Sequence, residues 1–279
     1  MIGVFDSGLG GLSVLAALVE TLPRADFIYY ADTAHLPYGD KSEAQIQARV
    51  LHIGDELARA GCRLLVAACN TATAAAVDAL RQAHPGLPVV GIEPGIKPAV
   101  QCTTSRRIAV LATPATAQSQ RLARLIAAHA ADVEVLIAPC PGWATAVEQL
   151  RLDDPALAAD VRQRMQPLLD QGIDCLALGC THYSFLAPLL REIAGPQVRL
   201  IDVAEAVARQ ARRLAAPLAP VLSEGAHGGR IFLRASAHPE RLHAALGKLH
   251  LGHLAARVEA TTAHAADRFT ASTRPFAQP

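Results

Sequence analysis

The chain has 279 residues, a net charge of +1 and 51% apolar residues, enough for one large or two modest domains around a sizeable core. No basic block stands out, which argues against a nucleic-acid partner, and no apolar stretch approaches the roughly 20 residues that span a bilayer. The six cysteines, at 62, 69, 102, 140, 175 and 180, show no CxxC spacing, so a disulfide framework is not expected. Met1-Ile-Gly-Val-Phe-Asp6 has neither a charged n-region nor an apolar h-region, and a reducing cytoplasm is the expected compartment.

Strand-like apolar runs alternate with helical segments. Strands are expected at Ile2–Phe5, Asp26–Ala31, Leu64–Ala68, Val89–Ile92, Arg107–Ala112, Val133–Ala138, Cys175–Leu178 and Val198–Ile201, with helices such as Ala72–Ala83 and Leu157–Gln171 between them. Such alternation predicts an α/β fold of mostly parallel sheets covered by helices. From Ala208 the pattern is helical, Arg230–Arg234 reads as a strand, and Pro239–Gly247 as a helix with proline at its start. The tail from about residue 261 has little periodicity and is expected to be disordered.

Part of this pattern occurs twice. Gly61-Cys-Arg-Leu-Leu-Val-Ala-Ala-Cys69-Asn-Thr71 matches Gly172-Ile-Asp-Cys-Leu-Ala-Leu-Gly-Cys180-Thr-His182 at a constant offset of 111. The stretch from Ile92 resembles that from Ile201 at an offset of 109, and Ile2–Asp6 resembles Ile108–Ala112 at 106; loop insertions and deletions produce such drift. We read two pseudo-symmetric α/β domains, one at 1–98 plus 208–260 and the other at 99–207. A chance match of short α/β patterns is the alternative.

Cys69 and Cys180 each end an apolar run just before a helix-like segment. Sites in open α/β sheets form at the carboxyl ends of strands, and a helix N-terminus lowers a thiol pKa below about 8.5. Asn70 or Thr71 is the expected cap beside Cys69, and Thr181 beside Cys180. Buried free cysteine is commonly inert, but a matched pair suggests two acid/base groups treating one substrate from opposite sides, the chemistry of a racemase. Cys62, Cys102, Cys140 and Cys175 lack this setting and are assigned to packing.

Other residues leave alternatives open. His182, two after Cys180, is placed to orient that thiol or exchange its proton. Asp6 is a helix cap or an acid/base partner. Asp6-Ser-Gly-Leu-Gly-Gly-Leu12 is not a dinucleotide fingerprint, because Ser13 stands where the third glycine belongs. Pro37-Tyr38-Gly39 marks a turn, with Tyr38 a surface aromatic by default. Thr113 and Thr116 either cap a helix or hold a carboxylate. Glu148 reads as a solvated helix glutamate. The spacing of Cys175 and Cys180 does not suit zinc, and the histidines at 238, 243, 250, 253 and 264 read as a solvated face, so no metal is expected. The three lysines, Lys41, Lys97 and Lys248, lie away from these motifs, and no pyridoxal or other cofactor is expected.

Phe5-Asp-Ser-Gly-Leu-Gly-Gly11, Ala31-Asp with Leu36-Pro-Tyr-Gly39, Ala68-Cys-Asn-Thr-Ala72 and Gly179-Cys-Thr-His-Tyr183 together resemble the glutamate racemases, in order from residue 2 to about 245. The resemblance implies a cofactor-independent enzyme that interconverts L- and D-glutamate for peptidoglycan, with its active site in the cleft between two α/β domains. It implies Cys69 and Cys180 as the two catalytic bases, serving D- and L-glutamate respectively, with Asp6 and His182 assisting them and binding substrate, and Glu148 at the position of a further acid. Ser7, Pro37, Tyr38, Gly39, Asn70, Thr71, Thr113, Thr116 and Thr181 would bind substrate. Two stretches depart from the family: Gly142-Trp-Ala-Thr-Ala-Val-Glu148 replaces Leu-Phe-Val-Pro-Leu-Val-Glu, leaving the role of Glu148 open, and Thr181-His-Tyr-Ser-Phe185 replaces Thr-His-Tyr-Pro-Leu. The rival readings are a racemase for aspartate or a hydantoin and, in another class, a non-catalytic amino-acid sensor. The expected partner is the small-molecule substrate; a homodimer is one option for the assembly.

Overall fold

The computed structural model describes residues 1–218 and 229–259. The chain begins β1 (Ile2–Asp6), α1 (Leu12–Thr21), β2 (Phe27–Ala31), α2 (Glu43–Arg59), β3 (Leu64–Ala67), α3 (Asn70–Ala83), β4 (Val89–Gly91) and α4 (Ile96–Cys102). It continues β5 (Arg107–Ala112), α5 (Pro114–Ala117), α6 (Gln120–His129), β6 (Glu134–Pro139), α7 (Trp143–Glu148), α8 (Pro155–Asp170), β7 (Cys175–Gly179), α9 (Ala187–Ala194) and β8 (Arg199–Ile201). Then follow α10 (Ala204–Ala215), β9 (Ile231–Ala235), α11 (Glu240–Lys248) and α12 (Gly252–Ala255). Every expected strand is present, shifted by at most two residues at either end. The tail from residue 261, with His264, lies outside the described residues.

The strands form two parallel sheets, ordered β4-β3-β1-β2-β9 and β6-β5-β7-β8. Reversed, the second order is β8-β7-β5-β6, the first sheet's β4-β3-β1-β2 without its β9 edge, so the sequence repeat is a repeat of topology. β1, β2, β3 and β7 are buried along their whole length. Helices cover both faces of these strands, which explains why they read as unbroken apolar runs. β6 is an edge strand, and its positions are all exposed or half-buried. Most of the core is one apolar cluster spanning both sheets, with Ile2, Val4 and Leu64 at one end and Leu176, Leu178 and Trp143 at the other.

Register decides what gathers at the carboxyl edges. In the first sheet Asp6 pairs with Ala31, and Phe5 with Ala67. In the second, Ala112 pairs with Pro139 on one side and Gly179 on the other. The residues that follow therefore emerge together: Ser7, Asp32 and Cys69 from one sheet, Thr113, Cys140 and Cys180 from the other. In each sheet the strand order reverses beside the first strand of that half, between β1 and β3 and between β5 and β7. Open α/β sheets place ligands in that crevice, and the two cysteines occupy equivalent positions in it.

α2 carries a residue that matters below. Its first turn is fixed by a capping box, in which the Ser42 hydroxyl accepts from the Gln45 amide and the Gln45 side chain accepts from the Ser42 amide. Ile46, Val50, Ile53 and Leu57 recur at helical spacing and are buried against the first sheet. No helix among the described residues is long and apolar enough to cross a membrane.

Candidate active site

A cavity of about 330 Å³ opens between the carboxyl edges of the two sheets, within the size range of small-molecule sites. Ser7, Pro37, Tyr38, Gly39, Cys69, Asn70, Thr71, Thr113, Glu148, Cys180 and His182 line it. Asp6, Thr116 and Thr181 stand buried behind this wall, Asp6 and Thr116 bonded to Ser7 and Thr71 of it and Thr181 to Asp6.

Cys69 itself, not Asn70 or Thr71, caps α3: its sulfur accepts the Ala72 N–H at 3.4 Å. Its thiol donates to the Ser7 hydroxyl at 3.8 Å, which donates to Asp6 at 2.9 Å. The helix N-terminus does not lower this thiol as its position in the sequence suggests. Burial, and then the negative charge of Asp6, push it up to about 12, because desolvation acts on the whole charge while one capping amide offsets only part of it. Asp6 does not cap α1, whose cap position is Gly11. It accepts from Ser7, the Gly8 amide and, across the cleft, the Thr181 hydroxyl at 2.9 Å. Burial raises its pKa.

Thr71 meets Thr113 at 3.1 Å and Thr116 at 3.2 Å, joining the two halves through hydroxyls. Thr113 also caps α5, so capping and cavity lining are not exclusive. The buried Asn70 side-chain nitrogen has no hydrogen-bond partner among the described residues. A buried donor requires an acceptor, and this one belongs to a residue of the cavity wall.

Cys180 heads a 3-10 segment, Thr181–Leu186, with no side-chain cap; Thr181 does not cap it but reaches to Asp6. The His182 Nδ1 lies 3.5 Å from the Cys180 sulfur, and its Nε2 lies 2.5 Å from a Glu148 oxygen that also accepts the Leu9 N–H at 2.6 Å. Burial lowers the imidazole pKa, yet the neighbouring Cys180 and Glu148 outweigh it and hold His182 well above its ordinary range. Glu148 is therefore not a solvated glutamate: its side chain is 14% exposed and fastens the loop after β1 to the segment after β7.

Tyr38 is buried, not a surface aromatic. Its phenol donates to Asp32 at 2.7 Å, while Arg49 of α2 grips the same carboxylate with two bonds of 3.0 Å. Burial alone would raise the Asp32 pKa; Arg49 and Tyr38 bring it below the ordinary value. Sequence reasoning quoted Asp32 in a motif but gave it no role, and it missed Arg49. It also assigned Cys140 to packing alone, although this buried thiol lines the cavity. The signal for Cys140 was available, since it follows a strand end at the same sheet edge as Cys180.

Known proteins share this sequence and fold. Residues 2–211 match the family described as Asp/Glu/Hydantoin racemase. A glutamate racemase of Pseudomonas aeruginosa is 45% identical over 241 residues, covering 86% of this chain and 90% of that one. The crystal structure of a Bacillus anthracis glutamate racemase isoform superposes with a TM-score of 0.82 at 30% identity, covering 94% of this chain and 97% of that chain. The Escherichia coli glutamate racemase, in complex with L-glutamate and the activator UDP-MurNAc-Ala, gives 0.76 at 31%, covering 89% and 94%. With its repeated sheets, paired cysteines and a sequence match over most of its length, the chain belongs to the Asp/Glu/Hydantoin racemase family.

Proposed function

We propose that this isomerase interconverts L- and D-glutamate without a cofactor, Cys69 and Cys180 serving as the two bases on opposite faces of the α-carbon. The observation that carries the reading is the placement of both sulfurs, each from the equivalent crevice of its own sheet, on one cavity. Racemisation removes a proton on one face and delivers one on the other, which a thiolate and a thiol do without covalent chemistry.

The charges around the sulfurs are lopsided. The Asp6 side favours a protonated Cys69, while the positive charge of His182 lies beside Cys180. In the resting enzyme Cys69 is thus the proton donor, and His182 lies within reach to exchange a proton with Cys180. A substrate ammonium group against Asp6 would offset the charge that opposes ionisation of Cys69, opening the reverse direction.

The α-proton of an amino acid is far less acidic than a thiol, so developing enolate charge needs fixed donors in a water-poor site. The Asn70 amide and the Thr71, Thr113 and Thr116 hydroxyls are the donors proposed for the carboxylates, with Ser7, Thr181 and the Pro37–Gly39 wall completing the substrate site. One such donor contributes about 2.7–4 kcal/mol to a transition state.

The cleft lies between units placed at residues 1–98 plus 208–260 and 99–207, a division supported by the pairing of β9 with β2. A peptidoglycan destination for the D-glutamate is supported by the cell-wall precursor bound to the Escherichia coli relative, and free thiols suit a cytoplasmic setting. Circular dichroism of pyridoxal-free protein with L-glutamate tests the central claim. Ellipticity should decay to zero; a flat trace from folded protein that does racemise aspartate would reassign the substrate.

A further inference from the structure

The inner wall of the cavity offers anions hydroxyls and amides, and its one cationic group, His182, is already engaged by Cys180 and Glu148. Among the described residues that line it, Arg241 is the only arginine or lysine. Its place follows from the end of β9. The Ser236 hydroxyl accepts the Ala34 N–H at 2.9 Å, the Ala237 N–H donates to the Thr33 hydroxyl at 3.1 Å, and that hydroxyl donates back to the Ala237 carbonyl. His238 then turns the chain at φ 55 into Pro239 and α11. Leu242, wholly buried, pins the first turn of α11 at the cavity. Arg241, one residue earlier, is exposed, and its guanidinium has no hydrogen-bond or ion-pair partner among the described residues.

The neighbouring charges are otherwise accounted for. Glu240 pairs with His238 at 3.3 Å, and Glu148 is held by His182 and Leu9. Asp40 lines the cavity with Arg241 and opposes it. Ordering an unpaired arginine costs side-chain entropy, so this exposed guanidinium is left free for an arriving anion. A positive charge on the lining of a cleft raises the local concentration and encounter rate of anions, and Asp40 works against that effect here.

We propose that Arg241 captures the anionic amino acid at the entrance, setting preference for a dicarboxylate in the encounter step without touching the reacting atoms. This rests on the reading of glutamate as substrate. A single exposed ion pair contributes up to about 1 kcal/mol, so Arg241→Gln should lower kcat/KM for L-glutamate up to about fivefold at low salt, mostly through KM. The deficit should vanish as salt rises from about 20 mM to about 500 mM, where the charge is screened within a few Å. Arg241→Lys should keep most of the wild-type value, Arg241→Glu should reverse the salt trend, and Asp40→Asn should raise kcat/KM at low salt.

Racemisation of both enantiomers across that salt range, with far-ultraviolet circular dichroism as a folding check, reads all four variants. An Arg241→Gln enzyme with wild-type salt dependence, or one whose loss is the same at both salts, overturns the proposal. Wild-type protein that fails to turn over glutamate at any salt overturns the substrate reading and this inference with it.

Discussion

The Cys69 sulfur sits 3.8 Å from Ser7 and two hydrogen bonds from the buried carboxylate of Asp6, and its pKa is raised from 9.0 to about 12. The folded state thus holds this proton more tightly than the unfolded chain. The associated stability is fully present below pH 9.0 and is lost as pH rises toward 12. In the free enzyme, alkylation of Cys69 by iodoacetamide, followed by peptide mass mapping, should climb about tenfold per pH unit through pH 8–10 with no plateau near 9. Asp6→Asn should speed it at pH 8 by removing the nearer negative charge. A plateau near 9 in the native protein would show that burial does not control this thiol. The two-base reading has its own test. Cys69→Ala and Cys180→Ala should each abolish racemisation, yet each should still eliminate a β-leaving group from one enantiomer, Cys69 acting on the D and Cys180 on the L form. Elimination from the same enantiomer by both variants would sink it. Both cysteines and His182 were legible in the sequence because strand ends and helix starts are local patterns. The direction of the Cys69 shift was not, because it arises from Asp6 and from a burial that only the assembled sheets create.

At the scale of elements, the cavity wall at Pro37–Gly39 stands on a partner that no local pattern revealed. Tyr38 was visible as part of Pro-Tyr-Gly, but Asp32 is wholly buried beneath it and is answered by Arg49 from the outer helix α2. A contact between a strand end and a helix face 17 residues on depends on how the helix lies over the sheet, which periodicity alone does not give. Glu148 was misread for the same reason, since only the docking of α7 against the turn at Thr181–Leu186 turns it inward. Arg49→Met would leave a buried carboxylate answered by Tyr38, His35 and Ser236 but by no arginine. Removing one partner of a fully buried pair costs about 3–5 kcal/mol; with the Arg49 side chain 22% exposed, about 1–3 kcal/mol is the expected loss. The melting temperature should fall by several degrees and KM should rise as the loop loosens. The Asp32 pKa is depressed in the folded state, so its stabilisation is present above about pH 4 and is lost as pH falls through the folded pKa. Arg49→Met should flatten that acid limb, and an unchanged acid denaturation profile would remove Arg49 from this role.

At the scale of the whole molecule, the parallel sheets and their repeat were legible because the cysteine segments recur at one spacing. The pairing of β9 with β2, and the ties across the cleft, were not, since they join residues about 200 and about 40–175 positions apart. Those ties lie beside both sulfurs: Thr181 to Asp6, Thr71 to Thr113 and Thr116, and Glu148 to Leu9, the same Glu148 also holding His182 on its own side. The same contacts that close the two halves therefore also set the charge at the reacting groups. Glu148→Gln separates these effects, because it keeps the shape and an acceptor for Leu9 but removes the charge that helps hold His182 protonated. The folded pKa of His182 lies well above the ordinary 6.5, so its stabilising contribution is complete below that value and is lost as pH rises through the folded pKa. With Gln at 148 the alkaline limb of the activity profile should move to lower pH, and the His182 ring proton in NMR should titrate earlier. Because enantiomers have equal free energy, kcat/KM must fall by the same factor in both directions, here about tenfold for the loss of roughly 1.4 kcal/mol. The elimination assay breaks that symmetry: the reaction assigned to Cys180 should suffer more than the reaction assigned to Cys69. Equal losses in both eliminations, with an unmoved alkaline limb, would leave Glu148 as a strut between the halves that does not govern the proton on His182.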